Sequence, residues 1–252
     1  YVDMYPLKNI AVPNSYLEMY PYQDSIGCGP GLRDERLAPF PRTEYSIKVN
    51  RQEYYAIITH MDEQIGRIIT HLKETGQDKN TYIIFSADHG LSVGNHGLVG
   101  KQNMYDHSMR VPLIVVGPNI PENKKLEMQV YLQDVMATSL DLAGIEKPEY
   151  VEFNSLMPMV KNETNESTYS EIYGTYRNLQ RMVRTNKFKM IIYPKAKKIR
   201  LFDMINDPEE MNDLTDNKDY ADVKIALVKK FKNQQIIMDD PLDLHPIFPE
   251  LF

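Results

Sequence analysis

Apolar residues recur along this chain with two different periods, and the change of period divides it. Between Ile47 and Glu74, Ile57, Met61, Ile65, Ile68 and Leu72 fall four, four, three and four residues apart, with Ile58 and Ile69 widening the stripe. That spacing predicts an amphipathic helix, which Gly76 ends. Two short apolar runs follow, Tyr82 to Phe85 and Val111 to Val116, and these read as buried strands of an α/β sheet. A second helical pattern covers Leu132 to Ala143 and stops at Gly144. Past residue 160 the period shortens. Thr168 to Ile172, Gln180 to Thr185, Phe188 to Tyr193 and Ile199 to Asp203 alternate apolar and polar residues, the pattern of a small antiparallel sheet. A last helix over Asp219 to Ile237 offers Val223, Leu227 and Phe231 to that sheet. Residues 1 to 44, rich in Pro, Tyr and Gly, show no period and read as a long, ordered surface loop. The chain is therefore read as α/β over residues 1–160, followed by an α+β subdomain over residues 161–252.

Composition changes this picture little. With 252 residues, 42% of them hydrophobic, the chain can bury a sizeable core. A net charge of −6 leaves no basic field for nucleic acid. The cluster Lys195 to Arg200 reads as a strand edge or hairpin turn. No apolar run reaches membrane-spanning length, and the single cysteine, Cys28, rules out an internal disulfide. Asn162-Glu163-Thr164 and Asn165-Glu166-Ser167 match glycosylation sequons, which chance also supplies in a chain this rich in Asn.

The chemistry concentrates where the first strand ends, in Ser86-Ala87-Asp88-His89-Gly90. Asp88 supplies a hard, charged oxygen and His89 a directional nitrogen, a pair suited to a divalent cation; Gly90 lets the backbone bend. A capping Asp beside a hydrogen-bonded His is the other reading of the same residues. His96, Lys101, Asp106, His107 and Arg110 follow before the next strand, in a loop holding Gly90, Gly94, Gly97 and Gly100. That density of cationic groups points to an anion-binding loop, with a solvated connection as the alternative.

The stretch Tyr54 to Pro118, YYAIITHMDEQIGRIITHLKETGQDKNTYIIFSADHGLSVGNHGLVGKQNMYDHSMRVPLIVVGP, closely resembles the type I sulfatases of the alkaline-phosphatase superfamily. Leu201 to Glu210, with Asn212 and Leu214, resembles that family's C-terminal segment LYDL-x-x-DP-x-E-x-x-NL. The resemblance implies the C-terminal half of an alkaline-phosphatase-like mixed-sheet sandwich, with the small antiparallel-sheet and helix subdomain appended. It also implies hydrolysis of an O-sulfate ester on a small molecule or, from the iduronate-sulfatase-like flavour of residues 1 to 10, on a carbohydrate. Asp88 and His89 correspond to ligands of the family's active-site calcium, magnesium in some accounts, and Lys101 to the lysine that contacts the sulfate oxygens. His96 and His107 are candidates for substrate contact, or loop histidines bonded to neighbouring carbonyls. Members of the family are secreted, periplasmic or lysosomal.

Two family features do not match. The Cys/Ser-x-Pro-x-Arg segment, whose first residue becomes the formylglycine nucleophile, and the N-terminal pair of aspartates are not found in these residues. Gly27-Cys28-Gly29-Pro30-Gly31-Leu32-Arg33 imitates the first but sets its arginine one position late, so Cys28 is rejected as nucleophile. The nucleophile and the missing N-terminal half of the enzyme are expected upstream. A phosphodiesterase or phosphonate monoesterase of the same superfamily, and a non-catalytic fragment that binds sulfated glycans, stand as alternatives.

Overall fold

The computed structural model describes all residues, 1–252. Its elements are α1 (Glu44–Glu74), β1 (Ile83–Ser86), α2 (Asp106–Met109), β2 (Leu113–Val116), α3 (Asp134–Leu142), α4 (Met157–Val160), β3 (Ile172–Tyr176), β4 (Gln180–Arg184), β5 (Phe188–Tyr193), β6 (Lys198–Asp203) and α5 (Ala221–Ile237), with short 3₁₀ turns between them. The chain divides into two units. One comprises Tyr1–Glu63, His89–Arg110 and Tyr173–Phe252; the other comprises Gln64–Asp88 and Val111–Ile172.

In the second unit β1 and β2 form a two-stranded antiparallel sheet, with Ile84 opposite Val115 and Ser86 opposite Leu113. The strands lie where their apolar runs predict, but they are not buried. Ile114 and Val116 are exposed, because a two-stranded ribbon cannot cover both of its own faces. The helix α3 is fastened at its start by Asp134, whose carboxylate accepts from the Tyr131 amide at 2.8 Å, the Asn154 amide at 3.1 Å and the Tyr169 hydroxyl at 2.5 Å. Asp134 thus ties the first turn of its helix to the segments on either side and caps none of the helix's own amides.

In the first unit the strands run in the order β3-β4-β5-β6, with β4–β5 and β5–β6 antiparallel. Side chains alternate across a strand, so the central β5 serves two environments. Met190 and Ile192 join Val183 and Leu201 beneath Leu227, Val228 and Phe231 of α5 in one apolar cluster. Lys189, Ile191 and Tyr193 belong to the opposite face and are buried as well. Neighbouring residues on that second face are Arg184, opposite Lys189 on β4, and Arg200, opposite Ile191 on β6. The predicted KAKKIR turn is the β5–β6 hairpin, and its last residue, Arg200, is drawn inside.

Candidate functional site

Gly90 begins the loop that carries most of the predicted site. Its amide donates to the Ser108 carbonyl at 2.9 Å, and a side chain there would collide with the His107 carbonyl oxygen. The backbone approach on which the Asp-His turn depends is thus open to glycine alone. The loop then folds back on itself, with amides of Ser92, Val93 and Gly94 donating to carbonyls of Gly100, Val99 and Leu98 at 3.0, 3.2 and 2.8 Å. Gly94 turns it with φ +99° against Ile47.

Lys101 leaves this turn under the control of buried charges that sequence periodicity does not reveal. The carboxylate of Glu35 accepts from the amides of Val99 at 3.0 Å and Gly100 at 2.9 Å, and it pairs with the equally buried Arg42. Arg42 also donates to the carbonyls of Glu35, Ala38 and Gly97 at 2.8, 2.7 and 3.1 Å. Burial pushes the Glu35 carboxyl up while those donors pull it down. Asp34, next along, accepts from Gln102 Nε2 at 2.9 Å and Arg33 Nε at 2.8 Å, and it lies 3.7 Å from Lys101 Nζ. The Gln102 bond and then the Arg33 bond hold the Asp34 carboxyl below its ordinary range. Lys101 itself is part-exposed, an ammonium held beside one carboxylate at the loop surface.

The two loop histidines are brought together below that surface. His96 stacks on Tyr105 with ring centroids 3.9 Å apart, and His107 lies 5.6 Å from each of them. His107 Nε2 hydrogen-bonds Ser92 Oγ at 2.9 Å, and Asn103 Nδ2 donates to the same oxygen at 2.9 Å. Burial, with the Arg200 charge second, pushes the His96 pKa down to about 4; burial likewise drives His107 well below its usual value. Both rings are neutral near pH 7.

The second face of the sheet fixes the far side of the same loop. Lys189 Nζ meets Asp106 at 2.5 Å and Glu210 at 2.7 Å, Arg184 meets Asp106 at 3.3 Å, and Glu210 accepts from the Asp106 amide at 2.6 Å. Burial works to raise the Asp106 pKa, but the Lys189 and Arg184 charges outweigh it and hold the carboxyl low. Arg200 Nη1 donates to the hydroxyls of Tyr105 at 2.6 Å and Tyr20 at 3.2 Å, while its Nε reaches Asp213 at 3.1 Å.

Asp88 and His89 follow β1 directly. The His89 Nδ1 faces the Gly90 carbonyl at 2.9 Å and donates to it, as it does in a histidine that ligates through Nε2. An Asp oxygen and a His nitrogen in sequence fit part of a divalent-cation site. No group of three or more His, Cys, Asp or Glu side chains in this chain is placed to hold a metal, so these two can supply only part of a ligand set. Cys28 is buried, donates its thiol to the Gln102 carbonyl at 3.0 Å and has its pKa pushed up by burial, which suits a packing residue rather than a nucleophile.

Comparison with known proteins decides the family. Residues 12–145 match the sulfatase family model, and residues 94–236 match that of the N-sulphoglucosamine sulphohydrolase C-terminal region. The chain belongs to the sulfatase family. Among curated sulfatases it is similar to arylsulfatase K of Bos taurus, 33% identical over 204 residues, covering 76% of this chain and 37% of the relative. It is similar also to the N-acetylglucosamine-6-O-sulfatase of Bacteroides thetaiotaomicron, 30% identical over 196 residues, covering 73% and 35%. The solved structure of BT4656 in complex with its substrate D-glucosamine-2-N,6-O-disulfate superposes with a TM-score of 0.74 at 27% identity, covering 79% of this chain and 43% of that one. The phosphonate monoester hydrolase from Silicibacter pomeroyi reaches a TM-score of 0.78 at 24% identity, which shows the shared fold. The chain thus spans well under half the length of these curated sulfatases.

Proposed function

We propose that the protein carrying this chain is a sulfatase that hydrolyses an O-sulfate ester, with a sulfated carbohydrate as substrate. The observation that carries the reading is the sulfatase match over residues 12–145, which takes in Asp88, His89 and Lys101. What supports it is the number of contacts that place one lysine: Glu35, paired with buried Arg42, accepts from the two amides just before Lys101, and the Gln102 side chain accepts from the Lys101 amide while donating to Asp34. Lys101 donates to the non-bridging sulfate oxygens, where charge builds as the alcohol departs, and exchanges Asp34 for the substrate as it does so. Asp88 and His89 would hold a calcium or magnesium ion. Such an ion, when bound, draws negative charge from the sulfate oxygens. His96 and His107 orient the loop from within, and His96 reaches substrate only from the cavity described below. We assign the nucleophile, a formylglycine in this family, to the portion of the family's length that these residues do not span. The carbohydrate assignment draws on the amino-sugar sulfatases among the relatives, and the compartment we infer is secreted, periplasmic or lysosomal.

The test uses the whole enzyme with an aryl sulfate, a sulfated amino sugar and an aryl phosphonate monoester. Lys101→Ala is expected to lower kcat/KM for sulfates by about a hundredfold or more with the melting temperature unchanged. Calorimetric calcium binding is expected to vanish in Asp88→Ala. Turnover of the phosphonate alone would replace this reading with the phosphonate monoesterase one, and glycan binding without turnover would make the protein a lectin-like remnant.

A further inference from the structure

A cavity of about 220 Å3 opens in the first unit, walled by Asn14, Ser15, Tyr16, Tyr22, His96 and Arg200 among others. It is smaller than the roughly 300–1,000 Å3 of pockets for drug-sized ligands, and so suits a single ring. Most of its polar groups are committed. Asn14 Nδ2 donates to Glu209 at 3.1 Å, Ser15 Oγ to Asn95 at 2.9 Å, and the Tyr16 hydroxyl to the Arg42 carbonyl at 2.7 Å.

Arg200 is the exception. Its Nε is taken by Asp213, and its Nη1 by Tyr20 and Tyr105. Nη2 takes no part in these bonds, on a side chain that is itself only 14% exposed. The guanidinium is held by three partners, and Arg200 is part of the cavity wall. Tyrosine rings stand beside it; that of Tyr22 is braced edge-on by Tyr20 at 5.8 Å and tilted against Tyr193 at 5.9 Å. A fixed cationic donor next to aromatic faces is suited to a pyranose ring that carries an anionic oxygen, since the bond to a charged acceptor is about twice as strong as to a neutral one.

We propose that this cavity is a saccharide subsite, in which Arg200 Nη2 donates to a carboxylate or sulfate oxygen on a sugar ring packed against Tyr16 and Tyr22. The choice of a sugar rests on the carbohydrate reading above; the anionic acceptor rests on Arg200 alone. Neither step requires turnover, so binding and catalysis fail separately.

The experiment titrates the isotopically labelled full chain with glucuronate, N-acetylglucosamine 6-sulfate, neutral N-acetylglucosamine and inorganic sulfate, following amide and Arg side-chain NMR shifts. Saturable shifts at residues 14–22 and at Arg200 with both anionic sugars, about tenfold weaker with the neutral one, are the expected result. Arg200→Lys keeps the charge and loses the second nitrogen, and is expected to weaken binding about tenfold. Should Arg200→Lys unfold, Tyr22→Ala, which leaves the Asp213 and Tyr105 bonds intact, is expected to do the same. Absence of saturation, equal affinity for the neutral sugar, full reproduction of the shifts by inorganic sulfate, or unchanged binding in Tyr22→Ala would each overturn the proposal. Loss of sulfatase activity elsewhere in the enzyme would leave it standing.

Discussion

The sheet of β3 to β6 shows two ways of fixing the same strands. On one face Val183, Met190, Ile192 and Leu201 meet Leu227, Val228 and Phe231, a contact without direction that tolerates any side chains of suitable volume. On the other, Lys189 sits between Asp106 and Glu210, and Arg200 between Asp213, Tyr20 and Tyr105. Here each bond has a set partner and length. The apolar face supplies cohesion, and the polar face transmits position to the loop that holds His96, Lys101 and His107. A buried ion pair is poor value as stability when compared with apolar packing, so its presence beside this loop fits a demand for geometry.

Substitutions can break that contrast in order of expected size. Lys189→Met leaves buried Glu210 without a cation and Asp106 with Arg184 alone, and is expected to cost about 3–5 kcal/mol in urea unfolding; a loss below about 1 kcal/mol would show that the polar face is not held by this charge. The pH dependence comes next. Because burial lowers the His96 pKa from 6.5 to about 4, the unfolded chain binds that proton more tightly, so the stability is whole above about 6.5 and drains as pH falls toward 4. Moving from pH 7 to pH 5 is expected to remove about 2 kcal/mol through this residue, with His107 acting in the same direction. His96→Gln should flatten the slope, and an equal slope in both proteins would sink the assignment. On the apolar face Ile192→Val is expected to cost only about 0.5–1.5 kcal/mol and to leave the amide exchange of Val99 and Gly100 unaltered. Asp34→Asn, which loosens a part-exposed pair, is expected to shift stability by under about 1 kcal/mol while changing KM more than kcat. A large stability loss there would move Asp34 from substrate exchange to scaffolding.

What the sequence revealed follows the same division. Elements with an apolar period lie within a few residues of where their patterns place them, α3, β4, β5, β6 and α5 packed on it and α1 with Ile57, Met61 and Ile68 of its stripe left exposed. The first strand of the small sheet is placed later than expected, at Ile172–Tyr176 rather than Thr168 to Ile172, because Tyr169 is engaged with Asp134 and Asn154 instead of a strand neighbour. The exposure of β2 also departs from expectation, since a strand rich in Val and Ile signals burial whether or not these residues contain its cover. Glu35, Arg42, Arg200 and Lys189 went unseen as site-builders because polar residues carry no period. Glu35 and Arg42 stand in a segment read as loop, and Lys189 occupies what alternation assigns to a solvent-facing position. The resemblance to the sulfatases singles out Lys101 as a candidate but is silent about what holds it.

Gln102 joins several of these parts, and it gives the protein a built-in sensor. Its side chain links the Lys101 amide to Asp34, and its carbonyl accepts from both Gln180 and the thiol of Cys28. Cys28 is the only cysteine among these 252 residues and is wholly shielded. At this position a thiol reagent gains access only as the contacts around Gln102 open, so the modification of Cys28, followed by peptide mapping, clocks the opening of the segment next to Lys101.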